Sequence, residues 1–394
     1  MKGLKRLVVI LSALILLVAA FSRCMDSGVD NGHDLVATDS TRAGANTCKK
    51  CHQKIYDSYL QSPHANTSSE IQGQHLLQAD SAETNNFAFN DHLRIAVEKR
   101  DSGAFQVAYI DQEEVLARKF DVAFGSGRDA ITFASWNGNR LQQMQLTYFS
   151  RIKRWANSPG YRDQQLRFSR NVEMRCLECH AAHADQKIVE SGGLVTAQEL
   201  VKASVAYGID CERCHGPAAK HVEFHVKNPA EKAAKYVSLY KSFSQKQKID
   251  ACAACHAGGD RLSIKSTFAF KAGDDLDKFL DKNSQTVPDP DVHGQQVQLL
   301  VASQCFIKSK AMDCNSCHSI HNGGDQSVTA FSQKCISCHQ TVKHSEKTLS
   351  NAMVKTNCID CHMPMKSSKA ISFKLAGEAK VAEYLLRSHK IAVY

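Results

Sequence analysis

Cys211-Glu-Arg-Cys214-His215 decides how this chain is to be read, because six other stretches repeat its pattern of two cysteines three residues apart followed at once by histidine. The others are Cys48-Lys-Lys-Cys51-His52, Cys176-Leu-Glu-Cys179-His180, Cys252-Ala-Ala-Cys255-His256, Cys314-Asn-Ser-Cys317-His318, Cys335-Ile-Ser-Cys338-His339 and Cys358-Ile-Asp-Cys361-His362. Two thiols at that spacing lie on one side of a helical turn, where each can form a thioether to a porphyrin vinyl group. The adjacent histidine then falls under the ring and can bind its iron. This is the attachment signature of haem c. With 16 Cys and 18 His in 394 residues, composition alone predicts about 0.03 such matches. Fourteen cysteines could instead pair as disulfides or hold zinc, but neither chemistry calls for histidine as the next residue every time. Seven covalently bound haems c are the expectation, with the seven motif histidines as iron ligands.

Working outward to the amino end, Lys2, Lys5 and Arg6 precede an apolar run from Leu7 to Phe21. The run is shorter than the ~20 residues of a membrane span and reads as an export signal over residues 1–23. Val18-Ala19-Ala20 offers small residues for cleavage. Cys24 follows the small Ser22 and could carry a lipid, although Arg23 and Phe21 suit a lipoprotein site poorly. Cleavage, lipidation and an uncleaved anchor all stay open. Each places the rest of the chain in the periplasm or on the outer surface, with membrane attachment through the N-terminal segment or the Cys24 lipid as one form.

The formal charge of +9 ordinarily suggests an acidic partner. Here about fourteen propionates would take it to about −5 in the reduced state, so many Lys and Arg are expected to neutralise propionates locally. No basic repeat with interleaved aromatics points to nucleic acid. Redox proteins are the expected partners.

Six of the motifs crowd into residues 176–362, too little chain to build an apolar core around each. The porphyrins would supply the core. The expected fold is mainly α, with irregular loops wrapped around stacked haems, and a small antiparallel β insertion at about 90–150. That insertion is read from alternation in His92–Val97, Phe105–Ile110, Lys119–Phe124, Ala130–Trp136 and Leu141–Tyr148, with turns at Gly125-Ser126-Gly127 and Asn137-Gly138. Trp136 and Trp155 read as packing residues. Helices are expected at Ala197–Tyr207, Pro229–Phe243 and Ala376–Leu386. The expected division is a first-haem segment with the β insertion (46–175), haems two to four (176–270), a linker (271–296) and haems five to seven (297–394).

The sixth position of each iron separates an electron carrier from a catalyst, because a second histidine closes it and an open one can bind substrate. Eleven histidines lie outside the motifs, enough to close every site. His64, His183, His221, His225, His293, His321, His344 and His389 are the favoured candidates by position. His33, His75 and His92 are weaker ones. Met363 and Met365 could ligate iron but read as packing or surface residues. Cys305, outside the motifs, reads as a packed thiol. No catalytic residue set emerges.

Several longer stretches carry a family resemblance, across about residues 46–365. They are Cys48–His52 with Tyr56 and Ser62-Pro63-His64-Ala65, then Gly125-Ser126-Gly127 and Trp155-Ala-Asn-Ser-Pro159-Gly160-Tyr161, Gly208-Ile-Asp-Cys211 through Gly216-Pro217, Cys314 through His318-Ser-Ile-His321, and Asn357-Cys358 through Met363-Pro364. The chain resembles the multihaem cytochromes c that share the tetrahaem domain of nitrifying bacteria, within the hydroxylamine-oxidoreductase-like superfamily. The resemblance implies parallel and perpendicular haem pairs in one conducting chain. It implies mostly two-histidine irons, with His64, His183, His221, His293, His321, His344 and His389 as the distal ligands. There is no Cys-x-x-Cys-Lys motif, as the resembling nitrite reductases carry, and seven motifs are fewer than the eight of hydroxylamine-oxidising relatives.

The leading functional expectation is an exported heptahaem cytochrome that passes electrons between redox partners. Its rival is an oxidoreductase with one open iron, acting on a small nitrogen or sulfur compound. A structural subunit docking a catalytic haem protein is the third.

Overall fold

A computed structural model describes residues 41–71, 85–162, 165–190, 196–258, 261–285, 289–341, 344, 356–376, 378 and 381–394. The expected export signal, Cys24, His33 and His75 lie outside them. The described chain belongs to one compact unit, Thr38–Tyr394. Among the described residues no helix is long and apolar enough to cross a membrane.

The β part is larger than alternation suggested. Asn86–Ala88, Leu93–Arg100, Gly103–Ile110 and Glu113–Lys119 form a four-stranded antiparallel meander. A six-stranded antiparallel sheet runs Ser68–Glu70, Val122–Phe124, Ala130–Asn137, Arg140–Phe149. Both Arg154–Asn157 and Arg170–Asn171 pair with its long Arg140–Phe149 strand. Asn137 pairs with Arg140, so the hairpin tip is Gly138-Asn139, one residue beyond the expected dipeptide. Gly138 has φ 59°, a conformation glycine adopts without Cβ strain. Gly125 ends a strand at φ 109°, and a Cβ there would stand 2.4 Å from the Ala130 carbonyl oxygen.

The apolar faces of the two sheets share one core. Phe120, Phe133 and Trp155 cluster there, with Phe120 and Phe133 centroids 4.5 Å apart and Trp155 5.5 Å from Phe133. Trp155 is a packing residue, as expected, and its indole N–H donates to Asn85 at 3.2 Å. Gln106 ties the sheets inside this core. Its amide donates to the Leu146 carbonyl at 2.8 Å and accepts from the Leu146 N–H at 2.9 Å.

The expectation of a mainly α fold is overturned. The described residues form sixteen strands, and their longest helix, Ala45–Tyr59, has 15 residues. A haem-attachment motif needs only one helical turn, so it does not demand long helices. The intervening segments satisfy their backbone groups in hairpins instead. Ala197–Tyr207 is not a helix: Thr196–Leu200 pairs with Gln186–Glu190, and Ala206–Tyr207 with Ala181–His183. Ala376–Leu386 is not one either, because Val381–Arg387 pairs with Met365–Lys374. Its Tyr384 and the facing Phe373 pack on Phe149, with Phe149 and Phe373 stacked at 3.9 Å. Within Pro229–Phe243 only Tyr240–Ser242 makes a 3-10 turn. The expected linker, 271–296, is made of short 3-10 turns where it is described.

Candidate haem sites

The motifs sit on short helices or single turns: Ala45–Tyr59, Met174–His180, Cys211–His215, Gln245–His256, Cys314–Ser316, Val328–Ile336 and Ile359–His362. Local capping starts several of them. Asp210 accepts from the Arg213 N–H at 3.1 Å, Ser244 and Gln247 form a capping box, and Asp313 and Ser327 cap the fifth and sixth. Within the motifs the histidine N–H donates to the carbonyl of the first cysteine, at 2.9 Å for His318 and His339 and 3.0 Å for His362. That bond puts thiol and imidazole on one face of the turn.

Distant chain then brings a second histidine opposite the motif histidine. Ring centroids are 6.4 Å apart for His52 and His221, 6.2 Å for His64 and His256, and 6.1 Å for His215 and His321. They are 6.2 Å apart for His318 and His389, and 6.3 Å for His344 and His362. His180 and His293 are electrostatic neighbours as well. Two imidazoles sharing one metal need about 2 Å of metal–nitrogen bond and roughly 1 Å from nitrogen to ring centre on each side, about 6 Å in all. The pairs fit an iron held from both faces. Among the described residues no group of three or more His, Cys, Asp and Glu side chains that could hold a metal ion converges.

Backbone carbonyls orient several of these rings. Nδ1 lies 2.9 Å from the Ser238 oxygen in His215, 2.8 Å from Lys235 in His221, 2.8 Å from Ala392 in His362 and 3.3 Å from Thr67 in His180. A carbonyl only accepts, so each Nδ1 carries the proton and Nε2 is left as the metal-binding nitrogen. Burial, with the neighbouring His256 and His318 rings adding to it, pushes both His64 and His389 down to about 4. Burial also lowers His180, His293, His318 and His321. These rings are therefore held in the neutral form that ligation needs.

Gly208 lets the third motif approach His64. It has φ 75°, and a Cβ there would lie 2.4 Å from the Ala65 carbonyl oxygen. The next residue, Ile209, donates its N–H to the His64 carbonyl at 2.8 Å.

Three expected positions stand apart. The structure does not bring His183 to a motif histidine: its Nε2 lies 3.0 Å from Asp185, and Phe268 covers the ring. His225 packs on His221 at 4.6 Å, with its own Nε2 buried and without a hydrogen-bond partner. His339 is exposed, and no histidine ring faces it among the described residues. His92, at the start of a strand, pairs with Asp111 at 2.5 Å.

The thiols also show which motifs are neighbours. Cys48 lies against Cys211, Cys179 against Cys255, Cys252 against Cys314 and Cys335 against Cys358. Cys214 is near Cys255, and Cys317 near Cys335 and Cys305. Cys305, expected as a packed thiol, thus lies near the fifth and sixth motifs. No sequence signal marked the carbonyl tethers.

The chain matches the family described as "Cytochrome c554 and c-prime" over residues 47–98 and 133–216, which hold the first three motifs. It is 27% identical over 200 residues to "Multiheme cytochrome MtrA" of Shewanella baltica (strain OS185), covering 46% of this chain and 56% of that relative. Both matches are to multihaem or c-type cytochromes. The chain also shares its fold with "Outer Cell Wall Cytochrome OcwA", with a TM-score of 0.50 at 14% identity, over 89% of this chain and 80% of that one. The chain spans little more than half the length of the MtrA relative.

Proposed function

We propose that this chain is an exported carrier with one haem c at each of its seven motifs, six of them ligated by histidine from both sides. The observation that carries this reading is the spacing of five histidine pairs, 6.1 to 6.4 Å between ring centroids. The bound groups supply one-electron iron couples, and the polypeptide orients the ligands, keeps them neutral and sets the order of the sites. The distal ligands are His221, His64, His293, His321, His389 and His344, facing His52, His256, His180, His215, His318 and His362. His183 drops out of the set because Asp185 occupies its Nε2. The neighbouring thiols order the sites as first, third, fourth, fifth, sixth and seventh, with the second joining at the fourth.

One observation keeps a second reading in view. The exposed His339 is the motif histidine without a facing ring among the described residues. An oxidoreductase acting on a small nitrogen or sulfur compound would act at that site. The test is intact-mass counting of haems together with the spectrum of the oxidised protein. Seven attached haems and a spectrum that does not change with nitrite or hydroxylamine support the carrier. Fewer haems, or a high-spin signal that moves with either compound, overturn it.

A further inference from the structure

Among the buried groups that ligation leaves unused, one cluster sits between the second, third and fourth motifs. Arg213 is only 9% exposed. Its guanidinium donates to the Thr267 carbonyl, to the Thr267 hydroxyl at 3.0 Å and to the Glu178 carbonyl at 2.9 Å. Its Nε is buried with no hydrogen-bond partner, and Phe268 lies 5.2 Å from the guanidinium carbon. None of these contacts supplies a negative charge. Arg213 faces thiols of all three motifs: Cys179, Cys214 and Cys255. Arg175 faces Cys179 and Cys255 too, and its Nε is likewise buried without a partner. The one carboxylate in the cluster, Glu178, is 3% exposed. It takes an ion pair from Arg175 at 3.0 Å and the Thr267 N–H at 3.1 Å. Glu178 thus pairs with the half-buried Arg175, and the buried Arg213 makes no ion pair with it.

We infer that Arg213 is a tuning residue for the haems of this junction. Its under-compensated charge makes ferrous iron easier to form there than at the other sites. A ferric iron at the junction gains one electron as a neighbouring ferrous iron loses one, and the buried cation lowers the energy of the product. Electrons entering the path therefore collect at the junction, where the second-motif branch meets the main line. The inference rests on the reading that these motifs carry haem.

The test is a spectroelectrochemical titration of the holoprotein and of two variants, with haem content measured by intact mass. A unit charge buried this close to a redox centre shifts its equilibrium on the order of tenfold. Arg213→Gln should move one midpoint negative by that factor, about 59 mV for one electron. Glu178→Gln should move it positive, which a generic loss of packing would not do. Full haem content with all midpoints unmoved in both variants, or with both moved in the same direction, overturns the inference alone. If Arg213→Gln does not accumulate, the sign of the Glu178→Gln shift decides. Wild-type protein without haem at these motifs overturns the reading beneath it.

Discussion

Replacing Asp291 by asparagine should loosen a distal ligand without touching it. The Asp291 carboxylate accepts from the His293 N–H at 2.8 Å through one oxygen. Its other oxygen accepts from the Lys369 and Ala370 N–H groups at 2.6 and 2.7 Å and from the Ser368 hydroxyl at 3.3 Å. It therefore ties the turn bearing His293 to a bulge in the C-terminal hairpin. Burial alone would raise its pKa, and these donors more than reverse that, leaving it below the usual carboxylate value. An asparagine oriented to keep the His293 bond turns its NH2 toward two backbone donors. Each hydrogen bond to a charged group contributes about 1.5–3 kcal/mol, so losing the two short ones costs about 3–6 kcal/mol before relaxation. Asp291 is only 9% exposed, which leaves little room for water to replace them. Urea unfolding should show a lower midpoint with an unchanged slope. The oxidised spectrum should gain a high-spin contribution from a single iron as His293 moves from His180. An Asp291→Asn protein with wild-type midpoint and spectrum would refute this reasoning.

Three further outcomes are expected. His225→Ala should leave the low-spin spectrum intact, while His221→Ala combined with His225→Ala exposes one high-spin iron. A high-spin signal from His225→Ala alone would make His225 the ligand. Gln106→Leu orphans the N–H and C=O of Leu146 inside the core, at about 1–3 kcal/mol each, and an unchanged urea midpoint would contradict that. His92 should titrate above its ordinary 6.5, because Asp111 accepts its proton and stabilises the cation. Its small stabilisation is present below the ordinary value and lost as pH rises through the raised one. An NMR titration that stays put on Asp111→Asn would dispose of the pairing.

The seven motifs were legible in the chain, and much of the fold was not. The cysteine and histidine spacing works within one turn of backbone, so neighbouring residues suffice to specify it. The β segment was legible for the same reason, since alternation in Ala130–Trp136 and Leu141–Tyr148 is a local pattern. The misread helices share a different cause. Val381–Arg387 half-buries Ala382 and Tyr384 on alternate positions, but only beside Met365–Lys374 and under Phe149 does that periodicity outweigh helix-forming residues. Thr196–Leu200 likewise takes its form from Gln186–Glu190.

The sequence by itself determined where the seven Cys-x-x-Cys-His motifs lie, because thioether and axial-ligand geometry fit into five consecutive residues. Only the tertiary structure decided which second histidine faces His52, His215, His256, His318 and His362, that His183 turns to Asp185, and that Arg213 lies among three motifs. Those pairings join segments far apart in the chain. They exist only once sheets and hairpins have fixed the backbone, and no short pattern of residues encodes such a distance.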